Sequence, residues 1–372
     1  MNLHDTITTV LVTISLSALA AAQTGNTTLG TGAGGSITSG SNNTLVGENA
    51  GGANTSGSDN TCVGQNAGSA STNAADNTII GARAGESNTA TDVTFVGAEA
   101  GIVNTGRDNT FVGEESGKSN TSGEYNTFVG EDAGRYNTTA SHNTFVGRWA
   151  GMGSSLFGVT GSHNVAIGGE GHPGGVHDGI TIETSIGAAG LELTTGYANT
   201  LVGAGAGRDI GDGVGNTCIG NASGSNLEHG DFNTFVGCQA GWDANRLSNA
   251  SRANRNTYLG FGAGQTNKLG EDNVGVGAMC DVLGIGSVDV NRATFLGAGS
   301  KVGSDDSTAI GYQATVTGAN SIAIGSGVTV STANEVRIGN DAVTSIGGPV
   351  NWTATSDGRV KTEVLANVPG LD

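Results

Sequence analysis

Histidines, cysteines and paired carboxylates are the residues here whose chemistry reaches beyond packing. His163, His172 and His177 gather around Gly171-His172-Pro173-Gly174-Gly175-Val176-His177-Asp178, a conceivable metal site. A solvated loop is the simpler reading. Asp305-Asp306, and Asp209 with Asp212, are oxygen-rich, but neither follows a dedicated calcium-loop pattern. The four cysteines contain no Cys-x-x-Cys spacing. No Ser-His-Asp arrangement, paired-carboxylate motif or phosphate-cradling loop stands out, so the chain is expected to be no enzyme and to need no cofactor or metal.

What must position these residues is a repeat. Asn-Thr-Phe-Val-Gly, or a close variant, returns about every 17 residues from Asn26 and settles to about every 14 between Ala293 and Glu335. A fixed period of this size marks a solenoid, whose units cannot bury an apolar face alone. Thr, Phe and Val are strand formers and Gly closes the segment, so each unit is expected to open with a short strand. A second signal, such as Ala133-Gly134 followed by Asn137-Thr138, suggests a second strand and two turns per coil. The expected fold is therefore all-β, a parallel β-solenoid of about 19 short coils, counting a slot at Glu183. Gly is 67 of 372 residues but Pro only 3, which excludes collagen, and Gly in every unit argues against helix.

Alternation along a strand puts Val112, Val129 and Val146 on one face with Thr110, Thr127 and Thr144, and Phe111, Phe128 and Phe145 on the other. The expectation is that the Val row fills the coil as structural core while the Phe row is the oligomer contact. Cys62 and Cys218 occupy the Phe slot and read as buried thiols; Cys238 and Cys280 fall in turn regions of separate coils.

The 14-residue units Ser307-Thr308-Ala309-Ile310-Gly311, Ser321-Ile322-Ala323-Ile324-Gly325 and Glu335-Val336-Arg337-Ile338-Gly339 resemble the head repeats of YadA-like trimeric autotransporter adhesins. The resemblance spans about residues 26–347 and implies a left-handed parallel β-roll, a homotrimer and an adhesive surface fibre. Coil geometry is open at the insertions 152–162, 169–182 and 242–255. A second segment, Ser356-Asp357-Gly358-Arg359-Val360-Lys361 with Val368-Pro369-Gly370-Leu371, is similar to the opening of the chaperone-of-endosialidase domain, an intramolecular chaperone that trimerises tail fibres and cuts itself off. That resemblance implies Ser356 as nucleophile and Lys361 as its assistant, inactive without the rest of that domain.

Residues 1–22 read as a secretion signal, with Leu19-Ala20-Ala21-Ala22-Gln23 as cleavage pattern, although no Lys or Arg precedes the apolar run. The expected organisation is a solenoid over 23–347, with 17-residue coils to about 292 and 14-residue coils over 293–347, then a neck and the chaperone opening over 348–372. No membrane span is expected in the mature chain. With 15 basic and 33 acidic residues the net charge is −18, a surface that repels phosphate backbones, so no nucleic acid partner is expected. The expected location is extracellular or at the cell surface, with receptor, matrix or glycan unspecified. A virion tail-fibre segment is the alternative. An ice-binding solenoid, motivated by the Thr ladder, is the lesser one.

Overall fold

The computed structural model describes residues 25–155, 158–169, 189–244, 253–283 and 289–346. Three-residue strands, one per coil, stack in parallel into a single 18-stranded sheet running from Thr27–Leu29 to Val336–Ile338. Each strand sits in register on the next, so Thr127, Phe128 and Val129 pair with Thr144, Phe145 and Val146. The described chain is an all-β solenoid without a helix.

Among the described residues, the second strand expected in every coil forms only near the C-terminal end. There Asp281–Val282, Lys301–Val302, Thr315–Val316 and Thr329–Val330 make a 4-stranded sheet. In the 17-residue coils that side is a run of turns, because left-handed residues interrupt it: Asp132 has φ 57 and Gly134 φ 58. The turns are still joined coil to coil, as in Gly117 N–H to Ala133 O at 2.9 Å and Gly134 N–H to Ala150 O at 3.0 Å. Two corner positions require glycine. A Cβ on Gly130 would lie 2.5 Å from the Gly147 carbonyl oxygen of the next coil, and one on Gly134 would lie 2.5 Å from the Phe128 ring.

That second clash locates the core, and it reverses the expected faces. Phe111, Phe128 and Phe145 are completely buried inside the coil, whereas Val112 and Val146 are half-buried and Val129 is 36% exposed on the outside. The reason is the company each row keeps. Thr127 shares a face with Val129, so an inward Val row would bury a row of hydroxyls in a coil with little to bond them. The Phe row shares its face with Asn126 and its equivalents, whose amides are bonded. Phe95, Phe111, Phe128 and Phe145 stack with centroids 4.9 Å apart and planes within 8°, which matches the spacing of adjacent strands. Cys62 and Cys218 take the same inward slot, as expected. Toward the C-terminus Ala309 and Ala323 replace the ring, and Val316 and Val330 of the second sheet fill the space from the other side.

The Asn that opens most units is buried, from Asn43 onward, and closes the corner before the strand. Asn126 Oδ1 accepts the Asn143 N–H at 3.0 Å, and its Nδ2 donates to the Ala140 carbonyl at 2.9 Å. The same pair of bonds recurs at Asn43, Asn199, Asn216 and Asn256. A second column, Asn88, Asn104, Asn120 and Asn137, is bonded amide to amide at 2.6–2.9 Å. Where Val93 interrupts the first column, Asn104 Oδ1 accepts from Asn109 instead, at 3.1 Å.

Between the slots at Asn164 and Asn199 the described strands follow one another directly in the sheet. Val165–Ile167 pairs directly with Thr200–Val202, and the Ala189 N–H reaches the Gly168 carbonyl as Ala133 reaches Gly130 in a regular coil. Eighteen rungs are seen among the described residues. Glu183 itself, the 1–22 signal and the 348–372 segment lie outside the described residues.

Removing a column member leaves two buried groups without partners, each costing about 1–3 kcal/mol. Asn126→Ala is therefore expected to destabilise the fold by about 2–4 kcal/mol, and Phe128→Ala by about 3–5 kcal/mol through the cavity left in the stack. Thr139→Ala, at an exposed turn position, should stay within about 0.5 kcal/mol of the parent. Urea midpoints measured on the three variants check the assignment of inside and outside.

Candidate interaction surface

With Phe inside, the outer face of the long sheet is made by the first and third residues of every strand. Thr opens each strand except at Val165, Val274, Ile322 and Val336, and Val, Ile or Leu closes each one. No Asp, Glu, Lys or Arg stands in either row, although the chain carries a net charge of −18. Ile80, Ile167, Ile219 and Val276, spread along the sheet, are each 38–40% exposed. The result is a continuous charge-free stripe along the long sheet, in contrast to the scattered apolar residues of an ordinary surface.

Hydroxyl usage separates this face from the rest. On another side of the coil the Thr hydroxyls are bonded to the next coil: Thr55 to Thr72 O at 3.1 Å, Thr105 to Thr121 O at 2.9 Å and Thr121 to Thr138 O at 2.9 Å. Among the described residues, the hydroxyls of the long sheet's strand row make no hydrogen bond within the chain. They are presented outward on β-branched side chains with few rotamers. The charges lie elsewhere. On the turn side Arg83 meets Glu99 at 2.7 Å, Lys118 meets Glu99 at 2.5 Å and Arg135 meets Glu115 at 2.6 Å. The Lys118 ammonium, bonded to Glu99, holds that carboxyl below the usual range.

The other candidates resolve into structural roles. His163 stacks on His142 at 4.8 Å, with Tyr125 beyond; His172 and His177 lie outside the described residues. Arg208 chelates Asp209 at 2.8–2.9 Å, His229 contacts Asp212 at 2.7 Å, and Arg292 reaches both Asp305 and Asp306. Basic side chains thus occupy the carboxylates read as oxygen-rich. Among the described residues no group of three or more His, Cys, Asp or Glu is placed to hold a metal. Among them, too, no helix is long and apolar enough to cross a membrane. Ser356 and Lys361 lie outside the described residues. The repeat also creates Asn-x-Ser/Thr sequons, and the fold closes three of them: Asn54, Asn120 and Asn137 are buried, with their Nδ2 atoms bonded to carbonyls of their own coils. Sequence reading used Asn as a register mark and missed the column. The signal was there, since an uncharged amide recurring in one slot is the residue that can bond to a copy of itself.

Against known proteins, the pattern of the YadA head domain repeat matches two copies within residues 304–327. The match falls on the 14-residue coils, which carry a second short strand. No curated protein matches the chain.

Burial pushes the thiols of Cys62, Cys218 and Cys280 up to about 12, so they stay neutral well above neutral pH, while Cys238 is half-buried at a corner. A thiol reagent at pH 8 is expected to modify Cys238 before the other three, which react only after denaturation, as read by mass spectrometry. The sign of the pH effect follows. An unfolded chain releases these protons near pH 9 and the folded one near 12, so stability falls as pH rises through that window.

Proposed function

We propose that the chain is the body of an elongated homotrimeric surface fibre of the YadA-like adhesin type, which attaches to a cell or matrix surface. The observation that carries this reading is the uncharged Thr/Val stripe along all eighteen rungs of a strongly acidic chain. Copies carrying −18 each repel one another everywhere except through a neutral face. Burying that face around a three-fold axis removes its apolar row from water and gives the free hydroxyls partners on a neighbouring copy or on trapped water. The YadA head repeat at residues 304–327 supports the same assembly. The oligomer contact thus moves from the Phe row to the Val row.

Eighteen rungs at about 4.8 Å give a rod on the order of 80 Å long, to be checked by small-angle scattering. Sedimentation should report a trimer for the parent chain. Val129→Asp should yield a monomer with an unchanged β-type circular dichroism spectrum, because the carboxylate faces water once the copies part. Phe128→Asp, by contrast, should disrupt the coil itself. A parent that sediments as a monomer contradicts this reading. It would also leave the outward Thr row open to water, the condition that the ice-binding alternative requires.

A further inference from the structure

The stripe is flanked by two corners, one where the chain enters each strand and one where it leaves. Most residues on these corners are polar or small. Phenylalanine is otherwise confined to the core: among the described residues Phe232 and Phe261 alone are open to solvent, at 60% and 52%. Phe232 stands on the entering corner, two residues before the strand Thr234–Val236, with φ 57. Its ring lies over Gly215, the residue in the same slot one coil earlier, where a Cβ would fall 2.8 Å from it. Phe261 stands on the leaving corner, two residues after the strand Thr257–Leu259. Those two strands are neighbours in the sheet, so the rings sit on opposite flanks of the stripe and one rung apart.

A three-fold rotation about an axis parallel to the stack changes no heights, and it brings the entering corner of one copy against the leaving corner of the next. We infer that Phe232 of each copy packs against the corner of Cys238 and Phe261 on a neighbouring copy, an aromatic latch that fixes the axial register of the trimer. The inference rests on the homotrimer proposed above. One rung, about 4.8 Å, lies within the separation at which aromatic rings interact. The uniform stripe needs such a device: Thr and Val repeat at every rung, so sliding one copy by a rung leaves the stripe nearly as well packed, just as strands of uniform pattern are weakly fixed in register. A ring in each of these two slots, one rung apart, is not repeated elsewhere among the described residues: Tyr125, His142 and His163 hold the entering slot and Tyr312 the leaving slot, none with a ring in the opposite slot within a rung. Below Phe232 the entering slot carries Asp59, Asp76, Asp92 and Asp108, then a separate stack of Tyr125, His142 and His163, then Ala198 and Gly215, and the strand above Phe232 is entered from Arg255.

The test uses the native Cys238, which occupies the leaving corner of the strand that Phe232 enters. Within one chain the extended residues between positions 232 and 238 hold them on the order of 15 Å apart, far beyond disulfide reach. In Phe232→Cys, a disulfide between the introduced thiol and Cys238 can therefore form only across copies. Mild oxidation of the full-length variant should give covalent dimers and trimers on a non-reducing gel. Mass spectrometry should then find the peptide spanning position 232 joined to the peptide that carries Cys238, and adding Cys238→Ser should abolish the cross-link. A variant that still sediments as a trimer but yields no cross-link, or a cross-link to another cysteine, overturns the latch and spares the trimer. A parent that sediments as a monomer overturns both.

Discussion

Every residue in this solenoid is its own neighbour. One coil lies on the next in register at the spacing of β-strands, so whatever stands at a given slot meets a copy of itself above and below. Buried polar slots must therefore be self-complementary. Asparagine satisfies that condition because it carries a donor and an acceptor on one short side chain, whereas a column of Asp or Lys would stack like charges in a dry interior. The Asn126 pattern, Oδ1 to the next backbone N–H and Nδ2 to a carbonyl of its own coil, closes the tightest corner within the chain itself. Serine takes over in the shorter coils, where Ser321 Oγ accepts the Glu335 N–H and donates to Thr332 O.

The rest of the cross-section follows from the same rule. Identical rings stack in the one slot wide enough for them, glycine is forced where a Cβ would strike that ring or the next carbonyl, and small changes of content are balanced across the coil. Gly275 illustrates the balance: the ring of Phe295 from the next rung lies where its Cβ would be. Surface ion pairs decorate the turn side, but exposed pairs contribute little each. The fold is carried by the columns.

Much of this was legible in the sequence. The period, the strand in Asn-Thr-Phe-Val-Gly and the inward place of Cys62 and Cys218 all survive in the structure. The inversion of Phe and Val has a plain origin: alternation fixes which residues share a face and leaves open which face is inside. Thr127 beside Val129 held the answer, since its hydroxyl has no partner within the chain. The turn side was misread because Ala-Gly and Asn-Thr signals punctuate left-handed corners as readily as strand ends. The outward stripe could be found only after the faces were assigned, and its meaning comes from contrast: two Thr rows, one bonded coil to coil and one left open, on a chain whose charges avoid the open row.

The asparagine column is the claim on which the account stands, and native-state hydrogen exchange resolved at the Asn143 amide tests it most directly. That N–H is held by the Asn126 side chain at a corner, outside the strand ladder. The column predicts that it exchanges as slowly as the neighbouring Phe145 amide in the parent chain and roughly ten-fold faster or more in Asn126→Ala, the change that a loss of about 1.4 kcal/mol in local protection would produce. Rapid exchange in the parent, at the rate of an exposed turn, would contradict it.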